Sequence, residues 1–271
     1  MRVRAIEALS DLLVRYDYTA GLSRANWAWE FARRNPGLRD DAFAGVSRAQ
    51  ARTACHGIRV IRLPEPDLAA EAWGLLKFPN PDRPAFSTDL FWSCQAYPRM
   101  LGVHVRDRLP GETDGIFEKG MRLCRTTHLT DAHGREHLCV KGASRALQVR
   151  CSGTSLLGTQ PVKMEFSVNG LESPGRFIQT LERAHFVFQS PRRVPAWSGR
   201  ALRYRNALIA LDAHDAGMSY RDMATIFHGE HRVGSDWTGA SHAMKSAMAR
   251  LLAKGQRLRD GGYRDLLGAC A

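Results

Sequence analysis

Two amphipathic helices separated by an unusually long turn are predicted between Ser219 and Leu252, and this segment constrains the fold more than any other. Ser219 and Asp222 form a variant of the capping box, in which the serine hydroxyl accepts a backbone N–H of the first turn. Apolar residues follow at helical spacing: Met223, Ile226 and Phe227. The pattern predicts an amphipathic helix that begins at Ser219.

The turn and the second helix are typical of a DNA-reading element. Gly229 and Gly234 are expected to break the helix and form the turn, and Trp237 is expected to anchor the turn to the core. Over residues 240 to 254, apolar side chains recur at steps of three and four, which predicts one buried face. The opposite face carries basic and small residues that would allow close approach to a duplex: His242, Lys245, Ser246, Ala249, Arg250 and Ala253. The alternative is a solvated surface helix of a small bundle.

The charge of the chain favours a polyanionic partner. There are 39 Lys and Arg against 27 Asp and Glu, a formal net charge of +12. Residues 192–271 carry +6 of this and the first 191 residues carry the other +6, so the positive charge density is more than doubled in the C-terminal portion. The predicted DNA contacts are Arg221, Arg232, His242, Lys245, Ser246, Arg250, Lys254 and Arg257.

Cysteine usage and hydropathy set further expectations. The six cysteines show no CxxC pair and no regular spacing, so they indicate neither a zinc ribbon nor a disulfide framework. No apolar run approaches the roughly 20 residues that cross a bilayer, and no signal-peptide pattern is present. We therefore expect a soluble cytoplasmic protein without a cofactor, a metal site or a membrane partner. No catalytic residue is assigned, because no cluster of carboxylates, nucleophile and base is evident.

An aromatic cluster and a long helix are the candidates for contact between domains. Trp27, Trp29 and Phe31 fall within five residues, and they would either fill a local core or dock another domain. A helix is predicted over residues 200 to 216, with Leu202 and Ile209 on nearly the opposite side from its other apolar residues. These five residues are the predicted interdomain or partner-binding residues, and the cluster is expected to meet the long helix.

The sequence pattern in the middle of the chain predicts short β-strands. Alternating apolar residues over 122 to 140, with Gly134 in a turn, predict a hairpin, and further strands are expected over 146 to 151 and 162 to 168. Histidines and a cysteine on the hairpin raise the alternative of a metal site: His128, His133, His137 and Cys139. Exposed histidines on hairpins are ordinary, so no metal is predicted. Another helix is expected after Ser173 and Pro174.

These elements predict an α+β fold: a mixed N-terminal half with short strands and a hairpin, followed by an all-α extended-turn helix-turn-helix domain. The predicted domains are residues 1–110, an aromatic-rich regulatory domain, residues 111–165, a hairpin-rich segment, and residues 166–271, the DNA-binding domain.

Motifs at both ends of the chain resemble a known family. The C-terminal segments SYRDMA (219–224), RV (232–233), DW (236–237), RLLAKG (250–255) and GGYRDLL (261–267) resemble a proteobacterial family formerly of unknown function, an extended-turn variant of helix-turn-helix. The N-terminal segments YDY (16–18), LSRA (22–25) and WAWEFARRNP (27–36) resemble the aromatic-rich domain that precedes it in activators carried by mobile elements. Together they resemble an FseA-type activator over residues 16–40 and 170–267, and the middle only through Trp73-Gly74-Leu75 and Phe91-Trp92.

This resemblance implies a function. It implies that one positive face of the C-terminal domain binds promoter DNA, that the opposite face packs on the N-terminal domain, and that transfer of an integrative and conjugative element is switched on. It also implies a small acidic antiactivator of the same domain family as a partner, and RNA polymerase is a further expected partner. The chain departs from the family by having fewer basic residues in the second helix, where Met244 and Met248 are apolar. The alternatives are an antiactivator or scaffold of the same fold that does not bind DNA, and an enzyme that processes nucleic acid.

Overall fold

A computed structural model of the protein describes residues 13–45, 49–53, 58–98, 100–113, 115–142, 145–167, 196–237 and 243–268, with seven further residues between 175 and 187. The helices are α1 (Arg24–Ala32), α2 (Pro36–Ala44), α3 (Leu68–Ala72), α4 (Ile116–Leu123), α5 (Gly199–Asp215), α6 (Tyr220–His228), α7 (Glu230–Asp236), α8 (Ala243–Arg257) and α9 (Tyr263–Leu267). The strands are β1 (Gln50–Thr53), β2 (Arg59–Arg62), β3 (Leu101–Asp107), β4 (Arg125–Thr130), β5 (Glu136–Lys141), β6 (Ala146–Gly153) and β7 (Val162–Ser167). The predicted α+β class is confirmed.

Contacts along the chain divide it into two compact units. The helical unit consists of Met1–Asn35 and Pro195–Leu266, and the sheet unit consists of Pro36–Val194 and Leu267–Ala271. The N-terminal segment therefore belongs to the same compact unit as the C-terminal helices. The division into functional domains at residues 110 and 165 stays a prediction.

Three helices of the helical unit begin at serine caps. Ser23 accepts a hydrogen bond from Asn26 N–H at the start of α1, and Ser198 accepts one from Ala201 N–H at the start of α5. At α6 the Ser219 hydroxyl accepts from Asp222 N–H at 3.2 Å while the Asp222 carboxylate accepts from Ser219 N–H at 2.9 Å. The predicted capping box is thus complete, and both terminal N–H groups are satisfied.

The predicted long turn after α6 differs from its expected form. Gly229, at φ +79°, ends α6 as expected, but Gly234 lies inside the additional helix α7. Val233 of α7 is 2 % exposed, and Trp237 follows the helix in a half-buried position. The glycine at 234 does not break the helix, because one buried valine and the hydrogen bonds of the helix outweigh the roughly 1 kcal/mol helix penalty of glycine.

Helices α5 and α8 approach each other closely at Gly255. A Cβ atom at Gly255 would lie 2.6 Å from the Ala207 carbonyl oxygen and 3.1 Å from the Leu211 Cβ atom. Only glycine permits this approach, which brings the buried Met248 and Leu252 of α8 into the core that α5 lines. The basic residues on the other side of α8 are fixed in place by this packing.

The sheet unit is built on a seven-stranded mixed sheet in the order β1-β2-β4-β5-β6-β3-β7. Strands β2 and β4 are parallel, as are β3 and β6, and the other neighbours are antiparallel. The predicted hairpin is confirmed as β4 and β5, with His128 opposite Leu138 and Gly134 at φ +77° in the turn. The strands expected near 146 and 162 are confirmed as β6 and β7.

All six residues of the central strand β5 are buried. Leu138 and Val140 pack in one apolar cluster with Val103 and Val149, whereas Cys139 packs in another with Phe91. A strand covered on both faces does not need the alternation of apolar and polar residues that an exposed face imposes.

The helix predicted after Ser173 falls largely outside the described residues. The structure describes helical residues at seven positions from 175 to 187, including the buried Ala184 and Val187. Ahead of α1, residues 13 and 14 are also helical.

Replacing Gly255 by alanine tests the close approach of α5 and α8. Alanine normally favours a helix over glycine by about 1 kcal/mol. At Gly255 we expect the opposite sign, a loss of about 1–3 kcal/mol in the free energy of unfolding, because the new methyl group meets the Ala207 carbonyl. Urea denaturation measures the change.

The matched control is Gly234→Ala in α7, where an added Cβ atom has no neighbour within 4 Å. This variant should be neutral or more stable by up to about 1 kcal/mol. If both variants raise the urea midpoint, α5 and α8 do not pack as closely as described.

Candidate nucleic-acid interface

Helix α8 presents basic residues on the side opposite its buried face. Met248, Leu252 and Gly255 are buried, whereas Arg250 and Arg257 are exposed. At 100° per residue, the two arginines lie within about 20° of each other and roughly opposite the buried residues. The helix therefore fixes two guanidinium groups on one exposed stripe.

The structure places the predicted DNA contacts on three helices. Arg221 is exposed on α6, Arg232 is exposed on α7, and the other described residues lie on α8: Lys245, Ser246, Arg250, Lys254 and Arg257. Lys254 is half-buried, unlike the other residues on α8 in this group. His242 lies outside the described residues.

Two of these arginines are near carboxylates. Arg232 Nε lies 3.6 Å from Asp236 Oδ2, and Arg257 Nη2 lies 3.8 Å from Asp265 Oδ2. All four side chains are more than half exposed, so each pair contributes little to stability and can be exchanged for a phosphate contact at small cost.

A groove of about 540 Å³ runs between α5, α6 and α8. Four Lys and Arg side chains line it: Arg203 and Arg205 from α5, and Arg250 and Lys254 from α8. Its apolar lining includes Phe227, Met248 and Leu251. None of the described residues that line the groove carries a carboxylate, so its positive charge is not compensated from within the lining.

Positive charge is crowded at Lys254. Burial, and then the nearby positive charges of Arg203 and Arg257, lower the pKa of this ammonium. Lys254 Nζ also lies 4.9 Å from the centre of the Tyr204 ring, and the Arg205 guanidinium lies 4.6 Å from that of Trp197. Aromatic faces thus hold two of the cations without neutralising them. An incoming polyanion would relieve the repulsion among these cations.

Sequence reasoning did not assign Arg203 and Arg205 to the DNA surface. Their signal in the sequence is the basic run Arg200, Arg203 and Arg205 in the first two turns of the long helix. Their neighbour in the groove, Arg250, is 45 residues further along the chain than Arg205, so only the packing of α5 against α8 reveals the cluster.

The predicted interdomain residues are mostly buried in the helical unit. Trp27, Trp29, Phe31 and Ile209 are each at most 3 % exposed, and Leu202 is half-buried. The Trp27 and Phe31 rings lie 5.5 Å and 6.2 Å from the Tyr204 ring of α5. The expected meeting of the aromatic cluster with the long helix is therefore present, while a role in binding a separate partner stays a prediction.

An ion network links the N-terminal segment to α5. Arg34 donates to both Asp212 carboxylate oxygens, at 2.5 and 2.8 Å, and the Tyr16 hydroxyl donates to Asp212 at 2.6 Å. Burial alone would lower the pKa of Arg34, but hydrogen bonds and the negative charge of Asp212 raise it. Burial, followed by the charge of Asp212, raises the pKa of Tyr16, so both groups keep their protons near neutral pH.

A second carboxylate in this network is fully buried. Glu30 accepts hydrogen bonds from Arg33 at 2.8 Å, from Arg34 at 3.0 Å and from the Tyr18 hydroxyl at 2.9 Å. Burial and the Glu30 charge raise the pKa of Tyr18 to about 12. A buried carboxylate needs such partners to remain ionised.

His128 and His137 of the hairpin are buried, not exposed as expected, and each lies near a carboxylate in the sheet unit. His128 Nε2 lies 3.3 Å from Glu136 Oε2, and His137 Nε2 lies 3.3 Å from Asp131 Oδ2. Across the described residues, the structure contains no group of three or more His, Cys, Asp or Glu arranged to hold a metal ion. None of the described helices is long and apolar enough to cross a membrane.

Comparison with known families addresses the C-terminal part of the chain. Residues 164–268 match the model of the family RovC_DNA-bd, described as "T6SS, Transcription factor, DNA binding domain". The match supports a DNA-binding transcription factor. It includes α5, α6, α7 and α8, and with them all four Lys and Arg residues of the groove. Comparison with curated proteins found no match.

Replacing Asp212 by asparagine tests the ion network. Asparagine keeps the size of the side chain but removes the charge that faces Arg34, whose side chain is only 13 % exposed. We expect the free energy of unfolding to fall by about 2–3 kcal/mol, because a largely buried guanidinium loses its ionic partner. Thermal and urea unfolding measure this loss.

The control is Asp215→Asn on the same helix, since Asp215 is 44 % exposed and lies 3.4 Å from Arg259. Its effect should stay within about 0.5 kcal/mol. Equal losses for the two variants would mean that Arg34 is not anchored by Asp212.

Proposed function

We propose that the protein is a sequence-specific transcriptional activator and that promoter DNA binds along α8 and the basic groove. The observation that carries the proposal is the convergence of Arg203, Arg205, Arg250 and Lys254 on a groove whose described lining has no carboxylate. All four belong to the segment that matches a transcription-factor DNA-binding family. Uncompensated cations gain most when they replace the counterions of a phosphate backbone.

The two sides of the groove suit two kinds of contact. Ser246 and Arg250 are exposed on α8 beside the small residue Ala253, so this face can approach the base edges of a major groove. Arg250 would read a guanine through two parallel hydrogen bonds. Arg203, which is exposed on α5, and the half-buried Lys254 would hold phosphates.

The other predicted contacts would extend the interface along the duplex. Lys245, Arg221, Arg232 and Arg257 are exposed and would add phosphate contacts on either side of the groove. His242 belongs to the same proposal from its place in the sequence before α8.

Control by the N-terminal segment would act through Tyr204. Its ring contacts Trp27 and Phe31 on one hand and the Lys254 ammonium on the other. A small acidic antiactivator that competes for the aromatic cluster would have to displace α1 from α5, since the cluster is buried. Such displacement would disturb the groove without contact between the antiactivator and DNA.

Two observations indicate which genes the protein would regulate, and they favour different genes. The resemblance to FseA-type activators favours excision and transfer genes of a mobile element, with RNA polymerase as the partner recruited in the cytoplasm. The description of the matching family names T6SS, which favours secretion-system genes. Sequencing of the DNA that co-purifies with the cross-linked protein in cells separates the two.

The double variant Arg203→Ala with Arg250→Ala tests the interface. We expect affinity for the gene's own upstream DNA to fall about 10- to 100-fold, as for the removal of two cations that bind DNA. The slope of log affinity against log salt should also become less steep by about 0.9 for each phosphate that the variant no longer neutralises. Fluorescence anisotropy over a salt series measures both.

The matched control removes two exposed arginines from the sheet unit, Arg52→Ala with Arg62→Ala. It lowers the net charge by the same amount as the variant with Arg203 and Arg250 replaced, and it should alter DNA affinity less than about twofold. Equal weakening of both double variants would show attraction by net charge alone and would remove the groove from the DNA surface.

Transcription in vitro tests the activator role. With purified RNA polymerase, the wild-type protein should raise transcript yield from its promoter, and the variant with Arg203 and Arg250 replaced should not. DNA binding by the wild type without any rise in transcript would contradict the activator role, whereas no binding to DNA at all would favour the non-DNA-binding antiactivator or scaffold.

A further inference from the structure

The sheet unit contains a second basic cavity, of about 530 Å³. Arg59 from β2 and Arg125 from β4 reach it from neighbouring parallel strands, since Arg59 is paired with Thr127 in the sheet. Lys77 and Arg83 reach it from the loops that follow α3. Four of the described lining residues are thus cationic, whereas Asp89 is the one carboxylate among them.

Asp89 is already held by interactions within the protein. Lys141 Nζ lies 2.7 Å from Asp89 Oδ1 with only 4 % of its side chain exposed, and the Thr127 hydroxyl donates to Oδ2 at 2.8 Å. Burial tends to raise the pKa of Asp89, but these hydrogen bonds and charges lower it, so the carboxylate stays ionised. Its single negative charge is balanced by the buried Lys141.

The arginines at the mouth of the cavity interact with Asp89 more weakly. Arg125 lies 3.3 Å and Arg59 3.6 Å from its oxygens, and their side chains are 61 % and 58 % exposed. Lys77 adds a half-buried ammonium, and burial followed by the charge of Arg59 lowers its pKa. These three cations share a carboxylate that Lys141 already neutralises, which leaves a surplus of positive charge.

Two hydroxyl groups of the lining also make an anionic ligand more favourable than a neutral one. The Ser87 hydroxyl donates to the Pro84 carbonyl oxygen, and the Thr127 hydroxyl donates to Asp89. A neutral polyol would therefore find these hydroxyl hydrogens already used. Lys77 donates to the Phe78 carbonyl oxygen and Arg125 donates to Asp89, but each of these cations carries several N–H donors, as does Arg59. Such groups favour a charged acceptor.

From this arrangement we propose that the cavity binds a small organic phosphate ester, which the sheet unit would recognise independently of DNA. A phosphate monoester carries a charge of about −1.5 to −2 and matches the surplus of the three cations better than one carboxylate does. The volume exceeds that of a phosphate group and lies in the range of ligand pockets. The organic part of the ligand would lie against Ile61 and Pro79, the apolar lining of the cavity.

Calorimetry on the full-length protein tests this site with inorganic phosphate, a sugar phosphate, a nucleoside monophosphate, and the unphosphorylated sugar and nucleoside. We expect saturable binding of at least one ester, tighter than that of inorganic phosphate, and none of its unphosphorylated counterpart. The bound ester should also raise the melting temperature, as any ligand specific for the folded state does. Succinate serves as the carboxylate probe and should bind at least about tenfold more weakly than the ester.

The variant Arg59→Ala with Arg125→Ala should weaken ester binding at least about tenfold. Both side chains are more than half exposed, so the fold should be retained, as circular dichroism can verify. The control Arg52→Ala with Arg62→Ala removes the same charge outside the cavity and should bind the ester like the wild type.

Three results would overturn the proposal: no saturable binding of any phosphate ester, equal weakening by the control, or tighter binding of succinate. The variant with Arg203 and Arg250 replaced should bind the ester normally. The sheet-unit site and the DNA interface can therefore fail separately.

Discussion

The ion pair between Arg34 and Asp212 is the contact on which the helical unit depends. It joins a segment near the N-terminus to a helix 178 residues later, and its two hydrogen bonds, with a third from Tyr16, satisfy a carboxylate that is partly withdrawn from water. The aromatic cluster of α1 then packs on Tyr204 of the same helix. Because α5 also carries Arg203 and Arg205, the N-terminal segment helps to set the position of half of the basic groove.

Repulsion between cations is present in both units. In the groove, Lys254 is partly withdrawn from water near Arg203 and Arg257, and in the sheet unit Lys77 is half-buried near Arg59. Repulsion between neighbouring cations slightly lowers the stability of the free protein. The packing of the core offsets this loss, and in the helical unit the close approach at Gly255 is one part of that packing. A bound anion relieves this repulsion, and the relief contributes favourably to the free energy of binding. Both proposals rest on this effect.

Local features of the fold could be predicted from the sequence because each depends on neighbouring residues. The capping box at Ser219, the hairpin around Gly134 and the long helix that ends before Gly217 are examples. The helix in the predicted turn was missed, since Gly234 is ordinarily a breaker and the buried contact of Val233 that offsets it is tertiary. The burial of β5 on both faces could not be inferred either, because the groups that cover it come from distant segments.

The sequence by itself determined that the C-terminal part is basic and that α8 has one apolar side and one side with arginines, because composition and helical periodicity are properties of the local chain. Only the tertiary structure decided which cations act together. Arg203 meets Arg250 and Lys254 through the packing of α5 on α8, and Arg59 meets Lys77 and Arg125 through strand pairing and the loops after α3. The energy of such a cluster depends on distances between side chains far apart in sequence, and those distances are set by the folded core.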